Sequence, residues 1–457
     1  MKDLKYRFFL VLTFGLTLLF SCSEEKKTKT TEDSFLSFIE HTPTTFLSGK
    51  IRLASLLSDL HYQDIPKLNT LLKSEVSTLS KGFDIKQPIY FTIDSLFQAD
   101  GSPTGVYLFL PVKHKDSLCD KLSSLGFLVE PGTTSNFIVG NNISGRIDAN
   151  TAIIHLSKFA SKETINKAYT HSLKPRANLI SSNKNNTAIT IRLHMENMQR
   201  MLDAHYLDRL GSQREELLSL YKNSYITGDF TFKNGSLNGD IDFDFSVALK
   251  KRLFFNDNAP AALNSISQSD FVSGMGLSIN PYKTDAFLTD FYPNLLSRLT
   301  EDNLMMQLAL MSLGNKPFSS ITKGELALAY HHQTIPTCFI QLGEKADLIK
   351  KTISPYLNQF PIPNITFNGN LVSNTTPKNV TNTLQAGFYY TYQSKNDKTI
   401  RSIDNPLKFL DAIESITFLL QNQGGNISIK GKKTNDGLLH QISMMYVKNI
   451  EELVSVL

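Results

Sequence analysis

Tyr225-Ile226-Thr227-Gly228-Asp229-Phe230-Thr231-Phe232, then Gly239-Asp240-Ile241-Asp242-Phe243-Asp244-Phe245, alternate polar and apolar residues about Asn234-Gly235. Side chains on a strand point to opposite faces in turn, so a period of two marks a sheet with one buried face. Asn-Gly supplies the two left-handed positions that a tight hairpin turn needs. This stretch predicts a β-hairpin and commits the chain to antiparallel sheet.

Working outward, the chain repeats itself. Thr45-Phe46-Leu47-Ser48-Gly49-Lys50-Ile51-Arg52-Leu53 shares Phe, an aliphatic residue, Ser and Gly, in that order, with Asp270-Phe271-Val272-Ser273-Gly274-Met275-Gly276-Leu277-Ser278. Each reads as a strand entering a helix. Pro66-Lys67-Leu68 and Pro293-Asn294-Leu295 follow, and Pro in the first turn marks a helix start. The strand Pro88–Ile93 corresponds to Glu325–Tyr330. Val106–Leu110 leading to a helix at Lys115–Leu122 corresponds to Cys338–Leu342 leading to Lys345–Lys351. The spacing of equivalent positions is nearly constant. A period this long means duplicated domains rather than a solenoid. Phe46 is expected over Phe271, Pro66 over Pro293 and Leu110 over Leu342.

Each half then closes in β-structure. Phe137–Val139 and Ala152–Leu156 suggest a hairpin, and Ala188–Leu193 a strand feeding a helix around Met198, Met201 and Leu202. The second half offers Gly387–Tyr390, a helix from Pro406 to Ile413, and strands at Ile416–Phe418, Ile427–Ile429 and Ile442–Met444. The expected fold is α+β: two duplicated halves, each a largely antiparallel sheet packed by helices. The expected layout is a leader at 1–21, a flexible tether at 22–34, a first repeat at 35–255, a linker at 256–268 and a second repeat at 269–457.

Location is written at the N-terminus. Lys2, Lys5 and Arg7 precede an uncharged apolar run, Phe8 to Phe20, of signal-peptide length and too short to span a bilayer comfortably. Leu19-Phe20-Ser21-Cys22 resembles the bacterial lipobox, and that resemblance implies cleavage before Cys22 and its acylation, including palmitate. Two or more chains hold a protein stably at a membrane. Ser23–Glu32 holds no apolar residue and reads as an extended tether. Ser23 is not the Asp that, in lipoprotein sorting, favours the inner membrane; the resemblance therefore implies an outer-membrane lipoprotein. Glu24-Glu25 is similar to acidic surface-export signals, or is a charged linker. The periplasmic or surface face stays open.

Composition excludes several classes. The formal charge is +5; without the leader it is roughly +3, too weak a balance for a nucleic-acid partner. Trp is absent, which weighs against an aromatic carbohydrate platform. Beyond Cys22 the cysteines are Cys119 and Cys338, on a helix face and inside a strand, where a buried free thiol or a disulfide between them is the choice.

Motifs that carry chemistry are incomplete. His331-His332 would point to opposite sides of a strand, with no HExxH or carboxylate cluster to complete a metal site. Ser320-Ile321-Thr322-Lys323 matches the Ser-x-x-Lys of penicillin-recognising enzymes, where Lys follows the nucleophile by one helical turn. Here Gly324 and a strand follow, and the partner motifs are missing. Gly274-Met275-Gly276 lacks the third Gly of a dinucleotide fingerprint. Asp240, Asp242 and Asp244, near Asp229, form an acidic stripe that a strand splays apart, so a solvated face is the better reading than a calcium site. No catalytic residue, cofactor or metal is assigned.

The lipobox, Gly82-Phe83-Asp84-Ile85-Lys86-Gln87-Pro88-Ile89-Tyr90 and the strand-then-helix from Gly105 to Leu122 together resemble the large uncharacterised lipoproteins of Bacteroidetes, a family catalogued as a domain of unknown function. The resemblance implies an envelope lipoprotein with no established activity. The expected function is therefore a non-enzymatic binding or scaffold role with an envelope protein partner. The alternatives are a carrier of a lipid or other apolar ligand, suggested by Met305-Met306, Met311, Met444-Met445 and abundant Phe, and a serine hydrolase using Ser320 and Lys323.

Overall fold

The structure is a computed structural model that describes residues 30–65, 69, 80–94, 104–133, 135–174, 187–197, 214–256, 272–291, 314, 316–330, 337–354, 364–374, 387–394 and 412–444. The fold is α+β with antiparallel sheets. The chain divides into two units: 1–202 with 225–235 and 433–444, and 203–224 with 236–432 and 445–457.

In the first unit the strands are β1 (Thr45–Ile51), β2 (Ile89–Asp94), β3 (Val106–Pro111), β4 (Leu128–Glu130), β5 (Asn136–Gly140), β6 (Ile143–Ile147), β7 (Thr151–Leu156), β8 (Ile189–His194) and β9 (Tyr225–Lys233). They pair antiparallel in the order β9-β8-β1-β2-β3-β7-β6-β5-β4. Both faces of this sheet are covered. Helix α1 (Thr31–Glu40) starts at a reciprocal capping box in which Thr30 and Asp33 satisfy each other's backbone. It lays Phe35 and Phe38 on Tyr90, Tyr107 and Phe109, with ring centroids 4.9 to 5.6 Å apart. Burying a Phe fully is worth about 1.5–3 kcal/mol, so these two rings dominate the docking of α1. Helix α4 (Lys162–Leu173), capped by Ser161, adds Ile165 and Ala168 to the same cluster. On the opposite face α2 (Leu53–Leu60) and α3 (Lys115–Ser124) bury Leu53, Leu57, Leu118 and Leu122 against Leu110, Ala152 and Ile154.

The second unit pairs β10 (Ser236–Asp244), β18 (Gly424–Gly431), β17 (Ile413–Gln421), β16 (Phe388–Gln393), β11 (Ser273–Ser278), β12 (Thr322–Tyr330), β13 (Thr337–Leu342), β15 (Leu371–Ser373) and β14 (Thr366–Asn368), in that order and antiparallel. Its helices include α5 (Arg214–Tyr221), α6 (Val247–Arg252), α7 (Pro281–Phe291), α8 (Pro317–Ile321) and α9 (Ala346–Ile353). Asp285 of α7 is 3% exposed and accepts from the backbone N–H of Phe318 and of Ser319, each at 2.8 Å. These are orphan donors at the first turn of α8, so a buried carboxylate caps a neighbouring helix.

Most predicted strands are present, including those about Asn234 and Gly235, whose φ of 52° and 67° are the two positive values a type I′ turn requires. Several expectations are corrected. Phe137–Val139 and Ala152–Leu156 do not pair with each other, because β6 lies between them and pairs with both β5 and β7. Ile442–Met444 is helical, part of a turn at 438–444 that buries Leu438 and Gln441 at a spacing of three. Ile413 opens β17 rather than ending a helix. The last residues of the expected tether are ordered, since α1 begins at Thr31 and buries Thr31 and Ser34. The units also do not divide at 256–268. β10 pairs with β18 from Ser236↔Lys430 to Asp242↔Gly424 and so belongs to the second unit, while 433–444 returns to the first, where the Leu439 amide donates to Asp59 at 2.7 Å. Linker residues 257–268, with Pro66, Phe271, Pro293 and the expected helix around Met198, lie outside the described residues.

Candidate functional site

The first unit carries an open, polar groove of about 690 Å³. One wall is the outer side of α2, with Ser55, Ser58 and Asp59; the others are the end of β9 with its turn, and the loop 434–437. The local sequence makes this wall. Leu53, Leu57 and Leu60 take the inner face of α2, which leaves the short polar side chains facing out. His61 ends the helix in the left-handed conformation, φ 44°. The third side is held by Asp59, whose carboxylate accepts from Leu439, and by the His440 ring nitrogen Nδ1, 3.1 Å from the Leu60 carbonyl. Burial pushes the Asp59 carboxyl above its usual range, against the pull of its backbone hydrogen bonds and of His61 and His440. Hydroxyls, the carboxylates of Asp59 and Asp436 and the backbone of the loop suit hydrogen-bonding to a polar chain rather than solvation of an acyl tail.

A second polar group lies on the face of the first unit's sheet that α1 packs against. Ser144, His155, Tyr107, Thr92, Ser48 and Arg192 follow one another in register across β6, β7, β3, β2, β1 and β8, and so share one face. The Tyr107 and His155 rings stack at 4.2 Å with planes 5° apart. Ser48 Oγ lies 3.1 Å from His194 Nε2. Burial lowers both histidines to about 4; Arg192 adds to the effect at His194. Burial raises Asp94 to about 6 despite a hydrogen bond from Thr44. A serine beside a neutral histidine is half of a nucleophilic site. Ser48, however, is 2% exposed, and the interior side of Gly105 is closed by Asp94 Oδ2 and His155 Nε2, which sit 2.7 and 2.8 Å from where a β-carbon would stand. Ser48 and His155 are thus enclosed in the core, and the stripe is only partly paired: among the described residues the buried Thr92 Oγ1 and Ser144 Oγ find no hydrogen-bond partner. The sequence signal for this group is His155, which follows the apolar run Ala152-Ile153-Ile154, where a polar residue is destined for burial.

The residues singled out by sequence fall as follows. Cys22 and His331-His332 lie outside the described residues. Ser320 is buried at the end of α8 while Lys323 is exposed on β12, so the helical turn that Ser-x-x-Lys chemistry needs does not form. Gly274 and Gly276 lie within β11, not at a strand-to-helix turn. Asp240, Asp242 and Asp244 are exposed on one side of β10, and Asp229 accepts from Thr190 Oγ1 at 2.6 Å. Cys119 and Cys338 are both free and buried, and burial raises both thiols. Among the described residues no group of three His, Cys, Asp or Glu side chains is placed to hold a metal ion, and no helix is long and apolar enough to cross a membrane.

No family model and no curated protein matches the chain. Crystal forms III and IV of TP0453 are similar in structure to part of it, each with a TM-score of 0.30 and 9% identity, covering 47% and 45% of this chain and 83% and 79% of theirs.

Proposed function

We propose that the chain is an envelope lipoprotein, anchored at the outer membrane through acylated Cys22, that binds or scaffolds another envelope protein without catalysing a reaction. The observation that carries the binding role is the open polar groove beside α2, of about 690 Å³. A cleft of that size with donors, acceptors and two carboxylates, Asp59 and Asp436, fits an extended polypeptide segment. The carrier alternative needs an apolar chamber. Among the described residues, the void beside Leu53, Phe83, Ile85, Ile89 and Leu110, with Asp84 and Gln87 at its edge, holds about 10 Å³, the room of roughly one water.

We further propose that the body is a tandem duplication. The order β9-β8-β1-β2-β3-β7 in one unit and β17-β16-β11-β12-β13-β15 in the other supports this, as do Leu110 and Leu342, both buried at the C-terminal ends of β3 and β13.

The test is site-specific photocrosslinking in intact cells. A crosslinker at Ser58, in the groove, is expected to capture one envelope protein in high yield; one at Ser123, exposed on α3, is not. Equal capture at both positions rejects the groove. Stoichiometric lipid extracted from the purified protein rejects the scaffold role in favour of the carrier, and labelling of Ser320 by an active-site serine probe rejects both. For the anchor, Cys22→Ala is expected to leave an unprocessed or soluble form; an unmodified cytosolic wild-type protein, by fractionation and intact mass, refutes it.

A further inference from the structure

We propose that the second unit carries a docking surface for acidic phospholipid headgroups, built from the ends of α7, α8 and α9. It deepens the membrane-anchored reading and rests on it only for its biological setting, since the surface itself is independent of Cys22. Four large apolar side chains stand in water there: Tyr282 at 54% exposure, Leu348 at 40%, Phe254 at 37% and Ile321 at 37%. Isolated surface apolars need no explanation, but these are neighbours. The Asn280 amide donates to the Phe254 carbonyl at 2.5 Å, next to Tyr282. The Tyr282 hydroxyl donates to Glu344 Oε1 at 2.6 Å. The Gly343 amide donates to the Ile321 carbonyl at 2.9 Å and the Lys345 amide to the Ser320 carbonyl at 3.0 Å, which brings the end of α8 to the start of α9 and hence to Leu348.

Charge selects the occupant. Lys283, Lys316, Lys323 and Lys351, on these same elements, are exposed and make no ion pair with a described residue. Of the acidic groups nearby, Asp285 is buried under the α8 amides, Asp347 is exposed but paired with Lys350 at 3.2 Å, and Glu344 is exposed and accepts from the Tyr282 hydroxyl, so the four lysines outnumber the carboxylates that lack a cationic partner. The surface therefore presents aromatic and aliphatic tips among free ammonium groups. Tyr sits well at the headgroup level of a bilayer, Leu and Ile insert below it, and Lys pairs with anionic lipid; a protein partner of matching shape would be expected to bury the Lys stems instead.

The chain contains no Trp, so a single Trp is a clean reporter. Leu348→Trp reads the surface, and Leu128→Trp, on exposed β4 of the other unit, is the control. The full-length protein purified from membranes is incorporated into phosphatidylglycerol or phosphatidylcholine vesicles containing brominated lipid. Leu348→Trp is expected to shift to the blue and to lose at least half its emission in phosphatidylglycerol alone, with Leu128→Trp unchanged. The triple variant Lys283→Glu/Lys323→Glu/Lys351→Glu, or about 0.5 M salt, is expected to return Leu348→Trp to the control level. Quenching that is absent, equal at both positions or equal in both lipids overturns the proposal. Flotation of the same preparation reads the anchor separately: protein lacking the acyl chains fails to float with phosphatidylcholine, yet its Leu348→Trp signal still responds to phosphatidylglycerol.

Discussion

The polar stripe on the α1 side of the sheet gives the chain a definite stability profile between pH 4 and 6.5. His155 and His194 sit at about 4 in the folded chain, against 6.5 in the unfolded one. Between those values the unfolded chain binds more protons, so stability rises with pH, is fully present above 6.5 and is lost as pH falls toward 4. Asp94 runs the other way. Its folded value is about 6 and its unfolded value 3.8, so the folded chain holds the extra proton and stability falls as pH rises through that window. At about 1.4 kcal/mol per pH unit, each histidine carries on the order of 3 kcal/mol and Asp94 a similar amount of opposite sign. Two against one leaves a net loss of about 3 kcal/mol on acidification from these groups alone, or several degrees of melting temperature at about 2–4 °C per kcal/mol. The decisive variant is Asp94→Asn. It keeps an acceptor for Thr44 but removes the cost of burying a charge. It should melt higher than wild type at pH 7.5, match it near pH 4, and so show a steeper acid loss. His155→Gln should flatten the profile instead. Circular dichroism melts at pH 4, 5, 6.5 and 7.5 measure both. An Asp94→Asn variant that melts lower than wild type at pH 7.5, with an unchanged slope, refutes the buried-charge account.

Three further outcomes follow from single contacts. Asp285→Ala strips the cap from α8 and leaves two buried amides unpaired; about 2–4 kcal/mol of stability should go, read as a lower urea midpoint, and a loss under about 0.5 kcal/mol would mean water replaces the carboxylate. Phe109→Ala, at a side chain with 0% exposure between α1 and the sheet, should cost about 3–5 kcal/mol and raise amide exchange in α1 more than in α3. Gly105→Ala places a methyl against Asp94 and His155; it should destabilise by about 1–3 kcal/mol, and pairing it with Asp94→Ala should recover part of that loss, whereas simple additivity would rule out the contact.

How much of this was legible follows from the physics of each signal. The strands about Asn234-Gly235 could be read because alternation and turn chemistry are both local, and the structure agrees on both counts. The strand-then-helix segments at Val106–Leu122 and Thr337–Ile353 were legible for the same reason. β6 was missed because Ser144-Gly145-Arg146 carries little strand propensity; it is a strand because β5 and β7 on either side supply its partners. The helical turn at 438–444 was misread for the opposite reason. Ile442-Ser443-Met444 looks extended locally, but the Asp59 carboxylate accepts from the Leu439 amide and Leu438 finds a buried seat, so a contact 380 residues away in sequence decides the conformation. The groove has the same origin. Each of its walls is an ordinary polar surface in the sequence, and only the return of 433–437 to α2 makes them a cleft. A local pattern can announce a strand or a cap, but a cleft assembled from residues 54–61, 232–235 and 434–437 has no local pattern to announce it. The proposed binding role therefore rests on the assembled groove, and the incomplete Ser-x-x-Lys and Gly-x-Gly matches are what chance leaves in a chain rich in Ser, Lys and Gly.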